Sequence, residues 1–309
     1  MTRMLLFPGQ GAQAVGMGKA LCDASPAAKA VFDRAGDLLG FDLLALCAEG
    51  PAEALTKSEN TQPAIFTHSA ALLAAAEEQG CEFASVAGAA GLSSGEWAAL
   101  YAAGVVTFEA ALRILRARGR FMQEACEATA GGMLSLIGLD AAACEQIAAE
   151  SGLVAANYNS PLQTVLSGPA ENIARAEALS AAAGAKMAVR LTVAGAFHSP
   201  LMRPAADRLA EVLAAETFSA PRFPVWSNVT ARPHGGADSI PAAMLQQVHS
   251  SVRWSESFAD MVACGMTDAV ELGPGKVLSG LARRIDKSVR AASASDLPTL
   301  LAAFAAPST

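Results

Sequence analysis

Long apolar runs are the first thing this sequence lacks. Although 52% of its 309 residues are hydrophobic, no stretch of about 18 or more uncharged apolar residues occurs, which excludes a membrane-spanning helix. The apolar start Met1–Phe7 meets Pro8-Gly9 at once and is too short for a signal-peptide core, so the reading is a soluble, cytoplasmic protein. Six cysteines are scattered without a CxxC and without neighbouring histidines. That pattern favours buried free thiols over disulfides or a metal site. Positive charge is also scarce: the net charge of −7 argues against a nucleic-acid partner, although it leaves room for a local basic patch. What is present is enough chain for one large α/β core with a subsidiary domain.

The chain centres on Gly91-Leu92-Ser93-Ser94-Gly95-Glu96. Upstream, residues 84–90 are small and apolar enough for a buried central strand, and downstream residues 97–103 are good helix formers. Glycines flanking Ser93 would relieve a sharp strand-to-helix turn, expose its Oγ and aim the first helical N–H groups at an anion. The alternative is an ordinary tight turn in a chain rich in glycine and alanine.

Earlier in the chain, Arg3–Phe7 reads as a first buried strand, running into Pro8-Gly9-Gln10-Gly11-Ala12-Gln13. Strand-end loops of this kind are where α/β proteins place ligands. Helical pieces are expected around 17–39 and 51–57, and Asn60–Pro63 is expected to start a helix over 64–79, with Pro63 in its first turn. His68 reads as a core histidine. Thr107 can cap a helix from Phe108 to about Cys126. In that helix Arg118 falls at the edge of the apolar stripe, while Arg113, Arg116 and Arg120 point further round towards solvent. A guanidinium removed from water needs a carboxylate or phosphate, so Arg118 either pairs with an internal acid or waits for an anionic ligand.

From Gly131 the texture becomes strand (133–139), helix (141–150), strand (154–158), strand (164–167), helix (171–183) and strand (187–193). This order suits an inserted split-βαβ subdomain. The chain returns through Gly195-Ala196-Phe197-His198-Ser199-Pro200. Of four histidines, His198 alone lies in a glycine-containing junction loop, which makes it the best base for Ser93; His234 and His249 read as surface residues. Near the end Lys276, Arg283, Arg284, Lys287 and Arg290 cluster against one acid, Asp286. The segment is either a solvated helix face or a patch that steers an anionic partner.

Taken together, Phe7–Gln13, Thr61–Ala64, Gly91–Glu96, Arg118-Gly119 with Met122-Gln123, Asn157–Pro161, Gly195–Met202, Val252-Arg253-Trp254 and Gly273–Leu278 resemble, in order and over nearly the whole chain, the malonyl-CoA:acyl-carrier-protein transacylases. The resemblance implies an α/β fold, with an α/β-hydrolase-like large domain (residues 1–129 and 195–309) and an inserted ferredoxin-like small domain (130–194). It implies transfer of malonyl from malonyl-CoA to the phosphopantetheine thiol of acyl carrier protein in fatty acid biosynthesis. The intermediate would be a serine ester, with no cofactor of the enzyme's own and a monomeric state.

By position, Ser93 resembles the nucleophile and His198 its base, oriented by a backbone carbonyl near Gln247. The N–H groups of Gln10 and Ser94 resemble the oxyanion hole, Arg118 the clamp for the malonyl carboxylate, and Gln62 and Asn157 further pocket residues. Leu92 and Ser94 depart from the histidine and the leucine or valine that flank the nucleophile in many members. Phe197 matches the malonyl-selective pattern. The same residues leave three other readings: an acyltransferase serving polyketide synthase modules, an acyl-thioester hydrolase, or a non-catalytic module that binds carrier protein.

Overall fold

The computed structural model describes residues 2–81 and 86–305. Five parallel strands form the larger sheet: β1 (Arg3–Phe7), β2 (Val86–Gly91), β7 (Val225–Trp226), β8 (Asp268–Leu272) and β9 (Arg290–Ala294), in the order β7-β2-β1-β8-β9. The residues expected to lead into the second strand, Ala84 and Ser85, lie outside the described ones. Strand β1 is buried throughout and its side chains alternate between two cores. Leu5 and Phe7 enter the larger cluster beneath helices Pro26–Leu39, Ser58–Glu78 and Phe108–Ala128, whereas Met4 and Leu6 enter a second one with Trp254, Phe258 and Leu278. A sheet covered on both faces has to be apolar on both, which is why β1 and β2 read as continuous apolar runs.

Charge fixes the register at one edge of this sheet. Arg3, Asp268 and Arg290 lie side by side at the starts of β1, β8 and β9. The fully buried Asp268 accepts Arg3 Nε on one oxygen at 2.5 Å and Arg290 Nε on the other at 2.7 Å. Arg290 therefore belongs to the sheet, and not to the basic cluster in which the sequence had placed it.

The second sheet is antiparallel, with strands β3 (Gly131–Ile137), β4 (Val154–Ser160), β5 (Gln163–Pro169) and β6 (Met187–Arg190) in the order β4-β5-β3-β6. Helices Ala141–Ser151 and Ile173–Ala182 cover one face with a separate small core. The other face looks towards the larger sheet. Strand β4 is tied to the segment just before helix Trp254–Ala263 by backbone hydrogen bonds from Tyr158 to the Val252 carbonyl at 2.9 Å and from Val252 to the Ala156 carbonyl at 2.7 Å.

Several helices differ from expectation. Helix Leu43–Glu49, capped by Asp42, was not anticipated, and neither were Arg203–Ala214, Trp254–Ala263 and Leu297–Ala305. Helix Ser58–Glu78 begins well before Pro63, which stands inside it. Proline has no N–H for the carbonyl four residues back, here that of Glu59. Arg116 fills the vacancy, its Nη1 donating to the Glu59 carbonyl at 2.9 Å and to Asn60 Oδ1 at 2.6 Å. The half-buried Arg116 thus points into the structure and not towards solvent.

Replacing Arg116 by methionine keeps its stem but strands a partly buried carbonyl. We expect a loss of about 1–3 kcal/mol in urea unfolding. An unchanged midpoint would show that water replaces the guanidinium at no cost.

Candidate active site

Strands β1, β2, β7 and β8 all end at one edge of the larger sheet, where their loops converge on Ser93. Ser93 has φ +55°, a left-handed conformation unfavourable for any residue with a Cβ. It is held there from several sides. The Ser93 N–H donates to Asn228 Oδ1 at 2.7 Å, Asn228 Nδ2 donates to the Gly91 carbonyl at 2.7 Å, and Gln247 Nε2 donates to the Ser93 carbonyl at 3.0 Å. The glycines of the motif are places where backbone meets backbone. A Cβ on Gly91 would overlap Gly95, one on Gly95 would overlap the Phe7 carbonyl, and one on Gly9 would overlap the Leu92 carbonyl. The elbow and the Pro8–Gln13 loop are consequently pressed together.

Ser93 Oγ lies 2.7 Å from His198 Nε2, and His198 Nδ1 lies 2.9 Å from the backbone carbonyl of Gln247. A carbonyl can only accept, so the ring proton sits on Nδ1 and Nε2 presents its lone pair to the hydroxyl. His198 is itself left-handed, with φ +56°. Its loop is tied to the small sheet by Ser167 Oγ, which donates to the Phe197 carbonyl at 2.7 Å. Burial, followed by the positive charge of Arg118, pushes the imidazole pKa down to about 4, against a smaller upward pull from the carbonyls of Gln247 and Ser250. At neutral pH the resting ring is uncharged.

Arg118 projects from helix Phe108–Ala128 and is 1% exposed. Gly119, beside it, permits the contact that brings Gln62 within reach: a Cβ there would overlap the Ser58 carbonyl of the neighbouring helix. Arg118 Nη1 donates to Gln62 Oε1 at 2.8 Å, and Nη2 donates to Gln247 Oε1 at 3.0 Å and to Ser93 Oγ at 3.2 Å. Nε has no partner, and no carboxylate among the described residues pairs with this guanidinium. Burial lowers its pKa to about 10, opposed by the charge of Glu96.

These groups line a cavity of about 640 Å³ between the two sheets. Gln10, Gln62, Ser93, Arg118 and His198 line it, Met133, Val165, Leu191 and Phe197 form apolar wall, and Glu53, Lys57, Lys276 and Arg284 bring charge to the lining. Asn157 enters from the small sheet at an irregularity in β4. Arg284 is bonded to Gln163 Oε1 at 2.7 Å, whereas Arg283, expected beside it, is not among the lining residues. The backbone N–H groups of Gln10 and Ser94 have no hydrogen-bond partner among the described residues, and Ser94 directly precedes helix Gly95–Ala102. The Ser94 hydroxyl is buried without a partner, close to Gly9.

Three residues escaped the sequence reading. Asn228 braces the elbow; its position just past strand β7, at the edge where the site lies, was the available signal. Glu96, inside the elbow motif, is fully buried. His234, expected on the surface, has a side chain 2% exposed and lies 2.7 Å from Glu96.

An elbow serine bonded to a neutral imidazole, beside two free backbone N–H groups, is the equipment of acyl transfer through an ester. The family model described as acyl transferase domain matches residues 4–301, and the chain belongs to that family. Among its relatives, the malonyl CoA-acyl carrier protein transacylase of Salmonella typhimurium is 43% identical over 303 residues, 97% of each chain. An acyl carrier protein S-malonyltransferase from Vibrio cholerae superposes with a TM-score of 0.94 at 39% identity, covering 98% of this chain and 99% of that one. A malonyl-transacylase solved in complex with its type II polyketide synthase acyl-carrier protein superposes with a TM-score of 0.96 at 38% identity, covering 99% and 100%. Among the described residues, no helix is long and apolar enough to cross a membrane.

The depressed pKa of His198 has a testable sign. Below its ordinary 6.5 the unfolded chain takes up a proton that the folded chain refuses until about 4. His68, buried in the core, is also lowered to about 4. Both histidines therefore leave stability untouched above about 6.5 and subtract from it as pH falls from there through 4. An NMR titration should place the His198 midpoint near 4, and Arg118→Ala should raise it. A wild-type midpoint at 6.5 would contradict a buried, neutral resting ring.

Proposed function

We propose that this protein transfers a malonyl group from malonyl-CoA to the phosphopantetheine thiol of acyl carrier protein, in fatty acid biosynthesis. The observation that carries the choice of acyl group is Arg118, a buried guanidinium with no carboxylate in contact with it, 3.2 Å from the Ser93 hydroxyl. An acyl group that carries its own carboxylate supplies the missing charge. A neutral acyl group leaves it missing, which counts against an ordinary esterase.

Ser93 Oγ passes its proton to His198 Nε2 as it attacks the thioester carbon. The oxyanion is received by the N–H groups of Gln10 and Ser94, and its collapse expels the CoA thiolate, which takes the proton from His198. In the second half His198 removes the proton from the pantetheine thiol, whose sulfur attacks the ester carbon, and collapse of the second oxyanion expels Ser93 Oγ, which takes that proton from His198. No electron is gained or lost, so the exchange requires no redox carrier, and the phosphopantetheine arrives on the partner. The Gln247 carbonyl holds the imidazole where a triad uses a carboxylate. Gln62 positions Arg118, and Asn157 shapes the wall opposite. Lys276 and Arg284, which line the cavity, are placed to meet an acidic carrier protein.

The architecture supports a two-domain reading: an α/β-hydrolase-like catalytic domain of residues 1–129 and 195–309, with 130–194 as a ferredoxin-like insert. Support for the insert comes from its βαββαβ order and its antiparallel sheet β4-β5-β3-β6. We place the enzyme in the cytoplasm as a monomer.

Intact-mass analysis tests the chemistry. Malonyl-CoA should add one malonyl group to the wild type and none to Ser93→Ala, and carrier protein should then remove it as malonyl-carrier protein. Release to water alone would make the protein a hydrolase, and an adduct on Ser94 would displace Ser93.

The choice of acyl group is tested separately. Truncating one partner of a desolvated charge pair costs about 2–5 kcal/mol, tens- to thousands-fold in specificity. Arg118→Ala should lose malonyl transfer by such a factor while acetyl transfer holds or improves, and Arg118→Lys should recover only part, lacking the planar fork. A malonyl-to-acetyl ratio close to wild type would reduce Arg118 to a structural role.

A further inference from the structure

Behind Arg118 stands a carboxylate that no step of the transfer uses. Glu96 accepts Gln247 Nε2 on Oε2 at 2.5 Å and the Asn228 N–H on the same oxygen at 3.2 Å, while Oε1 lies 2.7 Å from His234 Nε2. The Gln247 amide spans the space between this carboxylate and the guanidinium, its Oε1 accepting from Arg118 Nη2 at 3.0 Å. A guanidinium only donates and a carboxylate accepts, so the amide can be oriented one way only. Glu96 therefore faces Arg118 across one neutral side chain.

The alternatives explain why the arrangement matters. A carboxylate in direct contact would neutralise Arg118 but occupy the fork that the acyl carboxylate needs. With no carboxylate nearby, the full cost of burial would fall on the guanidinium, and Glu96 is the charge that opposes that cost. Acting through an amide, Glu96 stabilises the cation while leaving Nε of Arg118 without a partner. His234 occupies the far carboxylate oxygen, so the near one is kept for Gln247 and Asn228.

We propose that Glu96 is the remote counter-charge of Arg118, a positioning residue that acts through the Gln247 side chain and sets selectivity for acyl groups bearing a carboxylate. This rests on reading Arg118 as the site of the acyl carboxylate. Glu96 touches no reacting atom. Its effect should therefore appear in acyl selectivity and depend on Arg118.

The experiment compares kcat/KM for malonyl-CoA and acetyl-CoA in Glu96→Gln, Gln247→Met and Arg118→Ala, and in each of the first two combined with Arg118→Ala. Gln247→Met removes the bridging amide, and with it the hydrogen bond to the Ser93 carbonyl, but keeps the backbone carbonyl that orients His198. Taking the malonyl-to-acetyl ratio on one preparation cancels the fraction of folded enzyme. Glu96→Gln and Gln247→Met should each lower the ratio about tenfold, mainly through the KM for malonyl-CoA, and neither should lower it further once Arg118 is alanine. A ratio within about twofold of wild type in Glu96→Gln, while Arg118→Ala abolishes selectivity, overturns the role of Glu96 alone. An equal loss with and without Arg118 overturns it too, because Glu96 would then support the elbow in general. Selectivity that survives Arg118→Ala overturns the underlying reading, and this inference with it.

Discussion

Ser93 stands in a backbone conformation that residues with a side chain avoid, and most of the site can be understood as what keeps it there. Such strain costs on the order of 1–3 kcal/mol and persists only where the surroundings over-determine it. Here Asn228 takes the serine's N–H, Gln247 takes its carbonyl, and glycines at Gly9, Gly91 and Gly95 let three backbone segments lie in contact. The same crowding leaves the N–H groups of Gln10 and Ser94 without internal partners. The strained turn and the vacant donors are two aspects of one packing solution.

The electrostatics follow from excluding water. Burial would tend to discharge both His198 and Arg118, and the two also repel each other, yet the outcome differs because their ordinary pKa values differ. A fall to about 4 leaves the imidazole neutral at physiological pH, whereas a fall to about 10 leaves the guanidinium charged. One dry environment thus yields an uncharged imidazole and a charged guanidinium side by side. A carboxylate beside His198, as in a triad, would also have stood close to Arg118 and competed for it. A backbone carbonyl orients the ring without that competition.

Much of this was legible in the sequence. The elbow, the dyad, the buried arginine and the βαββαβ order each have local signatures: paired glycines, a histidine in a junction loop, a cation on an apolar stripe, and alternating strand and helix texture. What escaped depends on contacts between distant segments. Pro63 reads locally as a helix start, whereas in the fold Arg116, on another helix, meets the carbonyl that Pro63 leaves without an N–H. Glu96 reads as one more acidic residue in a first helical turn, and its burial follows from Asn228, His234 and Gln247, all more than 130 residues away. Arg290 looks like part of a basic run until β9 places it beside Asp268.

The charged row at the starts of β1, β8 and β9 bears on how such a protein can change over evolutionary time. Side chains alternate along a strand, so a slip of one residue in β1 would turn Arg3 to the opposite face and separate it from Asp268. It would also shift the Phe7 carbonyl by about 3.3 Å relative to Gly95, where no slack exists. Arg3, Asp268 and Arg290 therefore act as a fixed datum, set one strand length from the chemistry. Loops at the far edge can vary in sequence and shape to admit different acyl groups or carriers, because the alignment of the strands that bear them is secured elsewhere.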